Sequence, residues 1–376
     1  MAKKPLICLL SLGLCAALLI TPALADSESN TAVPVKETSA AVPISESPLP
    51  ADELILKDSL FYVTDHSVYF ADVTKKYAWA INEIDYLANT KTISGTGNCL
   101  FSPDATIRRG DFLLMLYRAY DMSMYVNGEN FTDVPADAYY ADALSACRAL
   151  GIATADAEGK FYPTKALTRQ DAMVFLYRTL ERTGLLLPSG DLSAFTDASR
   201  ISDYAIDAVS ALVHAGVISG AGGELNPTGE VSRASMAVML YRALMISVED
   251  GETGYVPRDD VMNICIGSSI YPNVTVRNLP DGGIDSGLYE LVGLWKTGSG
   301  YEIEMGAAAS FSDQIGFRDG KLTVNNTVAE TADHYEAIAV DVYGHLDGLY
   351  ATGSSEYTGA AVVMENGVLR TIYYKK

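Results

Sequence analysis

Between residues 70 and 246, two kinds of apolar stripe return three times. In the first, the aligned positions Ala80/Tyr140/Ala205, Ile84/Leu144/Val209 and Leu87/Cys147/Leu212 fall on one helical face. In the second, Met173, Leu176, Tyr177 and Leu180 share one side of a helix, and the tripeptide Leu-Tyr-Arg recurs at 116–118, 176–178 and 240–242. Short strings between the stripes also match: FADV (70–73), FTDV (131–134) and FTDA (195–198), then FSPDATIRR (101–109), FYPTKALTR (161–169) and LNPTGEVSR (225–233). The pattern predicts three helix pairs, 70–120, 131–183 and 195–246, stacked or closed in a ring so that each covers the apolar face of its neighbour.

From about 255 to 376 the period changes to two. YELVGLW, YEIEM, KLTV, AIAVDVY, AAVVM and VLRTIYY alternate, with turn signals at Asp281-Gly282, Asp319-Gly320 and Asn366-Gly367. The last two sit as tight hairpins. This predicts an antiparallel β domain, either a sandwich or a small barrel, so the chain is α+β and multidomain. Residues 51–69 contain an apolar run, LILKDSLFYV, that fits neither region and is left as an unassigned lead-in.

The helix ends refine the repeats. Gly151 and Gly216 stop the first helix of repeats two and three. Thr168 and Ser232 read as N-caps of the second helix, and Thr168 with Asp171 makes a near capping box. Repeat one has Arg108 at the cap. Arg109, Arg169 and Arg233 all take the first helical position, where the helix dipole disfavours a cation. One explanation is an anion site, in which free helix N–H groups and a guanidinium fork converge on a carboxylate or phosphate. The other is a solvated arginine, or one paired with Asp72, Asp133 or Asp197 of an adjacent repeat.

The N-terminus reads as an export signal. Lys3 and Lys4 precede PLICLLSLGLCAALLI, and Ala23-Leu24-Ala25 is a small-residue cleavage pattern, which assigns 1–25 to a signal peptide. Residues 26–50 are rich in Ser, Thr, Pro, Ala and Glu and predict a disordered linker. Cleavage would change the formal charge from −20 to −22 by removing the two lysines. So acidic a surface argues against nucleic-acid partners, and no membrane partner is expected after cleavage. Three widely spaced cysteines remain, Cys99, Cys147 and Cys265, without a disulfide framework. Cys147 aligns with two leucines and is expected in the core. Scattered histidines suggest no metal site, and no cofactor is expected.

Taken in order, these motifs closely resemble the S-layer homology (SLH) family: Phe-x-Asp-Val, an aromatic-Ala opening the first helix, Gly-x-hydrophobic-x-Gly, Phe-x-Pro, and a Thr-Arg-Ala-Glu-like helix start. The resemblance covers roughly residues 70–246. It implies a three-repeat pseudo-trimer of helix pairs that binds secondary cell-wall polysaccharide in grooves between its prongs, commonly through a pyruvyl ketal carboxylate. Carried over residue by residue, it points to Asp72, Asp133 and Asp197, to Trp79, Tyr139 and Tyr204 at the tryptophan position, to Gly95 and Gly220, and to Arg109, Arg169 and Arg233. An aromatic ring at 79, 139 or 204 serves either to stack on a sugar face or to pack in the core. Repeat two has Ala155 at the loop glycine, and Val231-Ser232-Arg233-Ala234-Ser235 lacks the acid, so the grooves need not be equally competent.

No Gly-x-Ser-x-Gly, His-Glu-x-x-His or Cys–His pairing stands out in the β region. Asp341, His345 and Asp347 lie close together, but no nucleophile or ordered catalytic motif accompanies them. The expectation is therefore a non-enzymatic protein, secreted and held at the cell wall or S-layer surface, displaying a C-terminal domain whose own protein or glycan partner is unknown. The alternative is a wall-anchored glycan or peptidoglycan hydrolase with its active site in residues 255–376, since a carboxylate pair leaves no spacing signature.

Overall fold

The computed structural model describes residues 52–249, 251–298, 300–340, 345–346 and 357–374. The signal peptide and linker assigned to 1–50, and Asp341 and Asp347, lie outside the described residues.

The helical region contains α1 (Ile81–Asn89), α2 (Arg109–Ala119), α3 (Ala141–Ala149), α4 (Arg169–Arg182), α5 (Ile206–His214) and α6 (Arg233–Leu244), two per repeat. The first helices bury the expected stripe: Ile84, Leu144, Val209, Leu87, Cys147 and Leu212 are all fully enclosed. Burial pushes the Cys147 thiol up to about 12, so it is an inert core group. The three described cysteines are unpaired.

Each first helix ends in the same pair of backbone hydrogen bonds. Gly151 donates to the Arg148 carbonyl and Ile152 to Cys147, while Gly216 donates to Val213 and Val217 to Leu212. Both glycines are left-handed, at φ 71° and 69°. Repeat one makes the same cap with Lys91 at φ 59°, a conformation that strains a residue carrying a Cβ.

The three repeats close into a ring. Ile107 donates to the Val231 carbonyl, Val231 to Leu167, and Leu167 back to Ile107, at 2.9–3.0 Å. These three residues are at most 1% exposed, so the triangle of bonds lies at a dry pseudo-threefold axis. One continuous apolar core then runs through all three repeats.

The β strands are β1 (Glu53–Val63), β2 (Ser247–Glu249), β3 (Glu252–Gly254), β4 (Val261–Ile266), β5 (Ser269–Val276), β6 (Gly287–Lys296), β7 (Tyr301–Ala308), β8 (Asp313–Arg318), β9 (Lys321–Val324), β10 (Thr327–Val328), β11 (Glu330–Ala339), β12 (His345–Leu346), β13 (Tyr357–Glu365) and β14 (Val368–Tyr374). Strands β1-β4-β5-β7-β6 close a barrel, with β1 meeting both β4 and β6. Numbered by chain order within the barrel, the circuit is 1-2-3-5-4, and its third and fifth strands are parallel. That is the Greek-key arrangement of OB-type barrels.

The lead-in that the sequence left unplaced is thus the first stave of the barrel, and all three helical repeats are inserted between its first and second strands. Phe61, Ile264, Val274, Leu294 and Ile303 fill the interior without exposure. The second sheet runs β10-β9-β8-β13-β14-β11-β12 and packs on the barrel through Leu288, Ile338, Ala361 and Tyr373.

The Asp319-Gly320 and Asn366-Gly367 hairpins form as expected, both residues of each pair at positive φ. The domain is antiparallel as expected in most of its strand pairs, with two parallel pairs added, β5–β7 and β11–β14, neither of which is joined by a hairpin.

Candidate functional site

The three motif arginines mark the seams between repeats. Each turns away from its own helix tip and donates Nε to a carbonyl of the next repeat: Arg109 to Phe161 (3.1 Å), Arg169 to Leu225 (2.8 Å) and Arg233 to Phe101 (2.7 Å). The helix N–H groups beside them are engaged too. Arg109 and Gly110 donate to Lys165 and Pro163, Arg169 and Gln170 to Gly229 and Pro227, and Arg233 and Ala234 to Ala105 and Pro103. The expected trap of free helix N–H groups is therefore absent, because the neighbouring repeat's loop already satisfies them. The arginine sits at the first helical position because it clamps that same loop. Any ligand must use the outer guanidinium nitrogens.

Asp72, Asp133 and Asp197 are neither free nor paired with these arginines. Asp133 accepts the N–H groups of Phe161 (2.9 Å) and Tyr162 (2.7 Å), Asp72 those of Phe101 and Ser102, and Asp197 those of Leu225 and Asn226. The second residue of each pair is left-handed, at φ 59°, 58° and 51°. Two consecutive N–H groups on one carboxylate hold that turn, which presents the carbonyl the arginine grips. Burial alone would raise Asp197, yet the donated N–H groups keep it below its usual range.

Gly95 and Gly220 are also architectural. A Cβ on Gly95 would lie 2.5 Å from the Leu100 carbonyl, and one on Gly220 2.8 Å from the Phe195 ring.

The aromatic position behaves differently. Trp79, Tyr139 and Tyr204 are 53%, 67% and 57% exposed, which rules out the core-packing alternative. The Tyr139 hydroxyl donates to Asp111, and Tyr204 donates to Asp171 at 2.8 Å. Partial burial, then these carboxylates, push both phenols up to about 12, so each stays a proton donor. Sequence reasoning read Asp171 as a capping residue and attached no site role to Asp111. Thr168 does cap the Asp171 N–H at 3.3 Å, but the Asp171 carboxylate reaches 2.6 Å to Arg109 in the preceding repeat. Only the spacing of the acid position in the motif could have signalled it.

The S-layer homology domain model matches residues 69–113, 130–173 and 194–237. The helical region is a triplet of S-layer homology domains. Modules of this family attach proteins to the cell wall. Among similar proteins are a Surface-layer 125 kDa protein of Lysinibacillus sphaericus, 34% identical over 178 residues (46% of this chain, 15% of that protein), and an Amylopullulanase of Thermoanaerobacterium thermosulfurigenes, 26% identical over 188 residues (50% and 10%). Exoglucanase XynX of Acetivibrio thermocellus is 27% identical over 184 residues (48% and 17%). The chain spans less than a fifth of the length of each of these relatives.

The S-layer homology triplet also bears on the barrel. OB-type barrels take ligands on the face of their second and third strands. Here those strands, β4 and β5, meet the triplet: Asn263 donates to the Asn82 carbonyl at 3.1 Å and Tyr241 to Asn273 at 2.8 Å. α1 and α6 thus contact the two strands that carry ligands in barrels of this topology.

Proposed function

We propose that the S-layer homology triplet tethers the secreted chain to the bacterial cell wall by binding an anionic, pyruvylated secondary polysaccharide in the seams between domains. The observation that carries this reading is the recurrence, at each seam, of a motif arginine gripping the next repeat's loop, with an exposed aromatic in every repeat; at the Arg109 seam the two meet on Asp171, which takes both the guanidinium and the Tyr204 hydroxyl. A guanidinium meets a carboxylate with a planar fork, and a ring offers a flat apolar surface to a sugar face. Burial pulls all three arginines below their ordinary pKa, but guanidinium stays protonated at physiological pH, so the charge is available. The barrel and second sheet are displayed at the cell wall or S-layer surface and have no catalytic role.

Co-sedimentation of the full chain with purified wall sacculi tests this. Binding is expected to native sacculi and to be lost after mild acid removes the ketal. Equal retention by both would overturn the pyruvyl assignment, and no retention by either would overturn the tether. The hydrolase reading draws support from relatives that carry glycosidase names. Release of reducing sugars from wall glycans by the full chain would establish it in place of the display role.

A further inference from the structure

The second sheet repeats the topology of the first barrel. Its strands β10 and β11 are one run broken only at Ala329, whose N–H still donates to the Leu322 carbonyl of β9 at 3.0 Å. That run pairs with β9 through Thr327 and Val328, and with β14 from Glu330 onward. β14 pairs with β13, β13 with β8 and β8 with β9, so the circuit returns to its start. In chain order it is again 1-2-3-5-4, with the third and fifth strands parallel. Ile315, Leu322, Ala337, Leu369 and Ile372 fill its interior. The β region is therefore two barrels of one topology in tandem.

The two copies differ at one seam. In the second barrel, strands one and two, β8 and β9, form a tight hairpin paired from Ile315↔Val324 to Arg318↔Lys321. In the first barrel, residues 64–260 stand between strands one and two, β1 and β4. A short turn holds its two strands together, and the insertion removes that constraint. The β1–β4 ladder keeps a single pair, Tyr62↔Cys265.

Two residues along the same register, Leu60 stands opposite Gly267. Here a side chain of the second barrel takes the place of a ladder rung. The Tyr373 hydroxyl accepts the Gly267 N–H at 2.7 Å and donates to the Leu60 carbonyl at 3.3 Å. Tyr373 is 1% exposed and lies in the cluster between the barrels, whereas Tyr374 points into its own barrel. Its ring meets Tyr62 edge-on at 6.0 Å, and burial holds the phenol well above its usual range, so it stays a donor. Beside it, Glu336 of β11 accepts the N–H (2.9 Å) and the hydroxyl of Ser268. A Cβ on Gly267 would collide with that carboxylate, so the β4–β5 turn is bare where the second barrel sits on it.

We propose that the second barrel is the clasp of the first: through Tyr373, with Glu336 alongside, it closes the seam that the inserted triplet leaves open. Both ends of the triplet leave from this seam, since β1 leads into repeat one and β4 follows repeat three after the β2–β3 hairpin. Closing it fixes both ends of the triplet, and the mount is complete only in a chain that carries β14. An unclasped seam leaves N–H and C=O groups of β1 and β4 without partners. The clasp is independent of which polymer the triplet binds.

Hydrogen exchange of the full chain, read by mass spectrometry, tests the clasp. Tyr373→Phe keeps the ring in its apolar contacts and removes both bonds. Peptides covering 59–66 and 261–267 should exchange about 10- to 100-fold faster, the range for two neutral hydrogen bonds. Peptides of the triplet helices and of β8 and β13 should keep the parent rate. Unchanged exchange in 59–66 and 261–267 would overturn the clasp, and so would equal acceleration in β8 and β13, which would make Tyr373 a support of its own barrel. A covalent bolt supplies the second measurement. Tyr62→Cys sets a thiol opposite Cys265 in the ladder. In a Cys99→Ser background, the oxidised pair should return 59–66 and 261–267 to parent protection in the Tyr373→Phe chain. Acceleration that persists with this disulfide formed would show that Tyr373 does not act by closing the seam.

Discussion

In the helical triplet, Arg233 reaches back 132 positions to Phe101 to close the ring, and in the β region Tyr373 reaches back 313 positions to Leu60. The first closure repeats a contact already made twice along the chain, by Arg109 and Arg169. The second is made once. A repeated unit states its own rules several times over, whereas a barrel stave is defined only by the strands that flank it. β1 is bracketed by β4 and β6, one of which lies beyond the whole triplet and the other further still. Barrel and anchor are therefore interlocked, and a fragment starting at 255 lacks a stave.

The sharpest way to break this comparison is to delete residues 51–63. The barrel should then open, with β4–β7 becoming protease-sensitive while helical circular dichroism persists. A protease-resistant barrel in this deletion would show that β1 is dispensable.

Next in size is Leu167→Ala, at the pseudo-threefold axis. A fully enclosed leucine lost to a cavity costs about 2–5 kcal/mol, and denaturant unfolding should show the loss in the triplet before the β region. A cost under about 1 kcal/mol would mean the axis relaxes freely and does not organise the ring.

The junction between the two regions supplies a smaller, pH-dependent effect. Asp85 of α1 accepts the Ser67 hydroxyl and the Val68 N–H in the segment leading from β1 into repeat one. Burial pushes its carboxyl up from 3.8 to about 7, with the two donors only partly opposing. The folded state then holds a proton that the unfolded chain releases, so this group's contribution is full below about pH 4 and is lost as pH rises towards 7. Asp85→Asn should flatten that part of the stability profile, as read by thermal melts across the range. An unchanged slope would place the titration elsewhere.

The smallest effect sharpens the comparison among repeats. Lys91→Gly, which gives repeat one the residue its neighbours use at φ near 70°, should stabilise by about 0.5–1 kcal/mol. A loss of stability would mean that the lysine side chain contributes more than its backbone strain costs.

Much of this was legible along the chain. Helical spacing located Ile84, Leu144 and Val209, and Asp-Gly and Asn-Gly located two hairpins, because these signals act within a few residues. The arginines were identifiable as a set, but not their partners. Nothing near Arg109 in sequence says that its fork meets Asp171, 62 residues on, or that its helix N–H groups are spent on Lys165 and Pro163. The exposure of Trp79, Tyr139 and Tyr204 was equally open, since an aromatic beside an alanine suits a core or a surface.

By itself, the amino-acid order determined the repeat count, the helix pairs, their caps, and the change from period 3.6 to period 2. These follow from local backbone preference and the burial of periodic apolar faces. Tertiary structure alone decided which repeat each arginine grips, that Arg109 finds its ion pair in Asp171, and that the run at 53–63 completes a barrel whose other staves lie on the far side of the anchor. Those outcomes depend on distances between residues far apart in the chain, and such distances exist only once the ring and the barrel have closed.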